Sequence, residues 1–230
     1  YQKIHNFCSM DLGSFYLDII KDRQYTAARD SVARRSDQTA LYHILEAMVS
    51  WLTTILRVTA EEIWQHMPGR RESSVLLTTW YQGLYPLAEN DPLGREGWER
   101  VLEVRQAVAR ELERLRKAEH IGASLEAEVD LYMEGGPLAD ALYALGDELR
   151  FVLITSEARV HPASQTPGQA QLVELEEGRK LAIVAVPSSY PKCVRCWHRR
   201  EDVGSHGDHP QLCGRCVENA TGAGEIRRFA

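Results

Sequence analysis

Cys193-Val-Arg-Cys196-Trp-His-Arg-Arg-Glu-Asp-Val-Gly-Ser-His-Gly-Asp-His-Pro-Gln-Leu-Cys213-Gly-Arg-Cys216 holds four of the chain's five cysteines. Two Cys-x-x-Cys turns separated by sixteen residues fit the spacing of a tetrahedral structural zinc, each tight turn supplying two thiolates. Four cysteine ligands leave no open coordination position, so the expected metal is a single structural zinc and not a catalytic one. A tail of 43 residues, 188–230, has too small a core to fold well alone, and metal binding supplies the missing free energy. Such close pairs in a cysteine-poor chain point to metal in a reducing compartment rather than to a disulfide framework. Gly214 is expected to ease the second turn. His198, His206 and His209 are expected to be exposed, because the ligand set is complete without them. Cys8 is expected to be a small buried apolar residue.

Upstream of the cysteines the pattern has period two. Leu125, Ala127, Val129, Leu131 and Met133 alternate with charged or polar residues, which predicts a half-buried strand. Gly135-Gly136-Pro137 then turns into a short helix through Leu145. Phe151–Thr155 reads as a second strand, 161–171 as a loop, and Leu181–Val186 as a third strand. Before this unit a charged helix is predicted from about Gly97 to His120, with Trp98, Val101, Leu102, Val108, Leu112 and Leu115 as its apolar stripe; without a basic stripe it reads as a connector. Residues 70–96 read as irregular, with Val75–Leu77 strand-like and Pro86, Pro92 and Gly94 as breakers.

Residues 1–66 carry helical periodicity. Phe7, Leu12, Phe15, Tyr16, Ile19 and Ile20 recur at helical spacing. A longer helix follows, capped by Asp30 or Ser31, with Leu41 to Ile55 on one face. A third is predicted to start at Thr59 with Glu62 completing a capping box, and to end at Pro68-Gly69; Trp51 and Trp64 are expected in the core. The predicted fold class is mainly α: a helical bundle over 1–86, a small α+β unit over 87–187 with its long charged helix, and a C-terminal zinc ribbon or knuckle over 188–230.

The net charge of −6 is unevenly spread. Residues 1–86 hold 9 basic and 9 acidic side chains, 87–186 hold 11 and 19, and 187–230 hold 7 and 5. Both ends can therefore present basic faces to phosphate although the chain as a whole is acidic. No apolar run approaches the roughly 20 residues that span a bilayer, and no export leader opens the chain. A cytoplasmic protein with no membrane association is expected.

The tail Cys193-Val-Arg-Cys196-Trp197, with Cys213-Gly-Arg-Cys216 and Asn219, resembles the C-terminal zinc finger of isoleucyl-tRNA synthetases, and also that of formamidopyrimidine-type DNA glycosylases. Tyr1-Gln-Lys-Ile-His-Asn-Phe7, Asp11-Leu-Gly-Ser-Phe-Tyr-Leu-Asp18 and Lys21-Asp-Arg-Gln-Tyr25 resemble the opening of the synthetase's anticodon-binding helical domain. Gln38-Thr-Ala-Leu-Tyr42, Thr59-Ala-Glu-Glu-Ile-Trp64 and Ile121-Gly-Ala-Ser-Leu-Glu-Ala127 continue that likeness in order, so it covers nearly the whole chain. His120-Ile-Gly-Ala123 resembles the nucleotide-binding signature of these class I enzymes. It lacks the second histidine, however, and follows a helix instead of opening one.

The resemblance implies a tRNA-binding part of an isoleucine–tRNA ligase, without catalytic residues of its own. ATP and Mg would act only in a catalytic domain outside these residues. The implied partners are the anticodon stem-loop of isoleucine tRNA and the remainder of the synthetase, in a monomer. Arg195 and Trp197 at the first knuckle are candidates for reading bases. Lys192, Arg199 and Arg215, with Arg200, Arg227 and Arg228, are candidates for phosphates. Arg34 and Arg35 in the bundle are further candidates, with Lys21, Arg23 and Arg29. Trp197 is expected either to stack on a base or to pack over the finger's own core. Two other classes remain open: the tail of a DNA-repair glycosylase, and a zinc-stabilised protein-interaction module.

Overall fold

Residues 2–26 form one continuous helical rod, comprising α1 (Gln2–Asn6), a π-helical stretch (Phe7–Tyr16) and α2 (Leu17–Thr26). The computed structural model describes residues 1–69, 71–87, 91 and 93–230; the breaker expected at Pro92 lies outside them. The π stretch has a local cause. Gly13 comes so close to the Cys8 carbonyl that a Cβ there would lie 2.9 Å from the oxygen, and Ser14 Oγ donates to Ser9 O at 2.7 Å. Cys8 itself is only half-buried, because this part of the rod packs on one side alone.

Ser31 caps α3 (Val32–Leu52), its side chain accepting from Arg34 N at 3.2 Å. The next helix, α4 (Arg57–His66), starts two residues before Thr59, and the predicted capping box does not form. The neighbouring Glu61 instead reaches the following loop, its carboxylate accepting from Ser74 Oγ at 2.8 Å and Val75 N at 3.1 Å. That grip bends Val75–Leu77 into a 3₁₀ turn where a strand-like piece was expected. Trp64 is buried, with its Nε1 donating to Glu72 O at 2.9 Å, while Trp51 is half-buried.

The largest core lies beyond these helices. Asp91 Oδ1 accepts from the N–H groups of Leu93 and Gly94 and caps the start of α5 (Gly94–Lys117). Val101, Val104, Val108, Leu112 and Leu115 recur every three or four residues along α5 and are all buried. Each such side chain contributes roughly 1.5–3 kcal/mol by leaving water, so α5 is a core helix and not the connector its charges suggested. It packs against β1 (Ala127–Met133), α6 (Pro137–Leu145), α7 (Leu149–Leu153), β2 (Glu157–Pro162), β3 (Gln171–Glu174) and β4 (Lys180–Pro187). The sheet order is β2-β1-β4-β3. β1 and β2 are parallel, joined by the α6–α7 crossover, and β4 runs antiparallel to β1 and β3.

Two expectations need correction. Phe151–Leu153 is helical, since an apolar run buried on all sides reads the same as strand or helix. The stretch 161–171 is not all loop: β2 extends to Pro162, and β3 begins at Gln171 as a short, mostly exposed edge strand. His120-Ile-Gly-Ala123 leads from α5 into a 3₁₀ turn before β1, with none of the nucleotide-binding setting. The chain as a whole is about half helical, with a four-stranded sheet and a four-cysteine cluster near its C-terminus. No helix among the described residues is long and apolar enough to cross a membrane.

Candidate metal centre and nucleic-acid interface

The first knuckle is the tip of a tight antiparallel turn. Lys192 bridges Arg199, Cys193 N donates to His198 O at 2.9 Å, and Trp197 N donates to Cys193 O at 2.9 Å. The second knuckle is the start of α8 (Gly214–Thr221), with Cys213 as N-cap and Cys216 in the first turn. Gly214 is needed here. Its N–H donates to Asp202 Oδ2 at 2.7 Å, and a Cβ would lie 2.8 Å from that oxygen.

The sulfurs of Cys193, Cys196, Cys213 and Cys216 all lie within 4.8 Å of one another, and all four residues are buried. Cys196 and Cys213 stand 3.7 Å apart, too far for a disulfide and close to the roughly 3.8 Å that tetrahedral Zn–S bonds of about 2.3 Å impose. Cys213 N donates to Cys193 Sγ at 3.4 Å, and the positive end of α8 faces the same cluster, so the surroundings favour thiolates. Hydrogen bonding from Cys213 and Cys216 pulls the Cys196 thiol far down, whereas its bond with Cys196 pushes Cys213 up to about 12. A cation bound between the four sulfurs would favour the thiolate form of each. Val203 and Leu212 cover the cluster.

α2 is the post to which this centre is fastened. Arg215 reaches Asp22 through both terminal nitrogens at 2.7 Å, and Arg227 joins at 2.9 Å. Glu225 accepts from the same two arginines and from Asn219. Burial pushes the Asp22 carboxyl up, but the Arg215 hydrogen bond and the two guanidinium charges outweigh it and hold it at about 2. Arg195 donates to Thr26 O at 2.6 Å, meeting a carbonyl left open at the end of α2. Beneath them Phe151 is ringed by cations, with the Arg227 guanidinium 3.4 Å and that of Arg215 5.0 Å from its centroid. The last three residues are tied down by Glu148, which accepts from the N–H groups of Arg228, Phe229 and Ala230 at 2.7, 2.7 and 2.8 Å.

These contacts re-sort the candidate residues. Arg215 and Arg227, expected at phosphates, have nearly buried guanidinium groups already neutralised by Asp22 and Glu225; both expectations are revised. Arg23 is likewise buried in a pair with Asp37 at 2.8 Å. Arg200 pairs with Glu157 at 2.6 Å, and Arg199 is half-buried, its N–H donating to Ser156 Oγ at 2.6 Å. Trp197 is different. It is 60% exposed, its backbone is left-handed at φ +68°, and its ring lies under Lys192 Nζ at 5.5 Å. Arg34 is half-buried near the start of α3. The neighbouring Arg35 is exposed and pairs with Asp30 at 3.0 Å. His198 is buried, not exposed, edge-on to Phe151 at 5.5 Å; His206 and His209 are half-buried. Asp22, Thr26 and Phe151 gave no signal in sequence, because each acts through a partner far along the chain; Glu225, whose partners lie within ten residues, was missed as well.

A family model described as the anticodon-binding domain of tRNA ligase matches residues 1–131. The chain belongs to that family. A second model, the zinc finger found in FPG and IleRS, matches residues 191–219, which span both knuckles. The chain is 60% identical over 230 residues to an isoleucine–tRNA ligase of Thioalkalivibrio sulfidiphilus, all of this chain matching 24% of the relative. It is 59% identical to that of Nitrosococcus oceani and 58% to that of Pseudomonas putida, with the same coverage. The chain thus spans about a quarter of the length of the curated relatives it matches. In this anticodon-binding family member, the four-cysteine centre is locked to α2, inside the part that the first model covers.

Proposed function

We propose that the chain is the anticodon-reading portion of an isoleucine–tRNA ligase, with a helical bundle over 1–86, a connecting unit over 87–187 and a zinc finger over 188–230. One structural zinc joins the four thiolates. Adenylation and transfer, with ATP and Mg, belong to the rest of the synthetase, which acts in the cytoplasm as a monomer. The partner is the anticodon stem-loop of isoleucine tRNA. Single-stranded bases are read by stacking on aromatic rings and by hydrogen bonds to their edges. Lys192, with Arg34 and Arg35, supplies charge for the backbone; Arg195 and Arg199 hold the knuckle while keeping part of their surface open.

The observation that carries this reading is Trp197. A large ring held exposed by a strained turn, on a knuckle pinned both by cysteines and by α2, costs stability unless something covers it. The test is a titration with isoleucine tRNA, a non-cognate tRNA and duplex DNA. Tightest binding to isoleucine tRNA, weakening as salt rises, is expected. Equal binding of all three, or preference for the duplex, defeats the reading.

A further inference from the structure

Between Glu72 and Glu89 the chain carries no charged residue, although 26% of its residues are charged. Past the 3₁₀ turn at Val75–Leu77, residues 78–87 form neither helix nor strand, yet one side of the stretch is held fast. Val75 is buried with Val49, Ala60 and Trp64. Gln65 Nε2 donates to Ser73 O at 2.9 Å, and Thr78 Oγ1 donates to Val75 O at 2.7 Å. The Tyr81 hydroxyl is paired with His43 Nδ1 on α3. The other side is bare. Leu76, Leu77, Trp80, Leu84, Tyr85 and Leu87 are all exposed, Trp80 by 63% and Tyr85 by 85%. Lone apolar side chains at a surface are ordinary. Six large ones within twelve residues, with no charge among them, mark a surface that another one covers.

We infer that residues 76–87 are a docking strap, which seats the anticodon-binding helices on an apolar face of the remainder of the synthetase. The inference rests on the ligase reading and deepens it. The curated relatives match this chain over 24% of their length, so about three-quarters of such a polypeptide lies outside these residues and is tethered to them. A tethered partner is held at high effective concentration, and an apolar contact then suffices without charges to steer the encounter. RNA does not fit this stretch, which has no cation to neutralise phosphate. The anchors through Val75 and Tyr81 make the strap a rigid seat. Docking on it therefore fixes where the anticodon-binding helices stand relative to the site of adenylation and transfer, and its loss disturbs transfer while leaving the chain's own grip on RNA intact.

The experiment compares the intact synthetase with the 230-residue chain by hydroxyl-radical footprinting, both without RNA. Trp80 and Tyr85 are expected to be oxidised several-fold more slowly in the intact protein, and at a rate independent of concentration in the 230-residue chain. Leu77→Asp and Trp80→Glu then place a charge on the strap. In the intact protein each should lower the rate of attaching isoleucine to its tRNA by about tenfold or more, with isoleucine-dependent ATP–pyrophosphate exchange unchanged. In the 230-residue chain the same variants should keep wild-type zinc content and wild-type affinity for the anticodon stem-loop, which separates lost docking from misfolding. Equal oxidation of Trp80 in the two proteins, or undiminished attachment in both variants, would overturn the strap. Protection that grows with the concentration of the 230-residue chain would overturn it in favour of a second copy. An intact wild-type protein that fails to attach isoleucine to its tRNA would overturn the ligase reading itself.

Discussion

Asp22 carries more of the arrangement than any cysteine neighbour. It is one of two carboxylates shared by Arg215 and Arg227, so Asp22→Asn leaves two nearly buried guanidinium groups with Glu225 alone. Removing one partner of a buried pair costs about 3–5 kcal/mol, and urea unfolding should show a loss of that size. The difference should depend on pH in a definite direction. The folded carboxyl sits at about 2 against an ordinary 3.8, so its contribution is fully present above about pH 4 and fades as pH falls toward 2. The gap between wild type and Asp22→Asn should therefore narrow over that interval. At Trp197 the expectation concerns binding. Trp197→Ala should weaken the anticodon stem-loop by about 1–3 kcal/mol with zinc content unchanged, and loss of metal in that variant would show a packing role instead. The cysteines were legible from spacing alone, because a tight turn must supply two ligands from nearby residues. Asp22, Phe151 and the true duty of Arg215 were not, since their meaning lies in contacts with residues far along the chain.

The elements were readable where one face is wet and one is dry. β1, β4, α3 and α6 fall close to their predicted ranges, because alternation or helical spacing marks a single buried face. α7 was misread where that contrast disappears, as every residue of Leu149–Leu153 is buried. α5 was located and its apolar stripe named, but its charged exterior led to a connector reading where the stripe makes it a core helix. The second knuckle offers the sharpest check at this scale. Gly214→Ala drives a methyl into Asp202 Oδ2 and displaces the cap at the start of α8. Loss of a cap costs about 0.5–2 kcal/mol, which should appear as weaker zinc affinity in a chelator competition. Unaltered zinc affinity would mean that Asp202 moves aside freely.

Across the whole molecule, three stretches that looked separable share contacts. Phe15 from the helical rod and Phe229 from the tail both pack on the core around α5 and the sheet. The excess acidity lies in residues 87–186, outside the sequence segments that carry Arg34, Arg35, Lys192 and Trp197, so a net charge of −6 is compatible with a polyanionic partner. Under the proposed function the metal would not contact RNA: it would fix the turn that carries Trp197, while α2 holds that turn through Arg195 and Arg215. The most direct test is to strip the metal and titrate the same chain with the anticodon stem-loop, following the amide signals of 188–230 and of α5. The predicted result is one zinc per chain, with metal removal disordering 188–230, leaving α5 folded and abolishing selective binding. A zinc-free chain that keeps its 188–230 signals and binds the stem-loop as tightly as before would contradict the account.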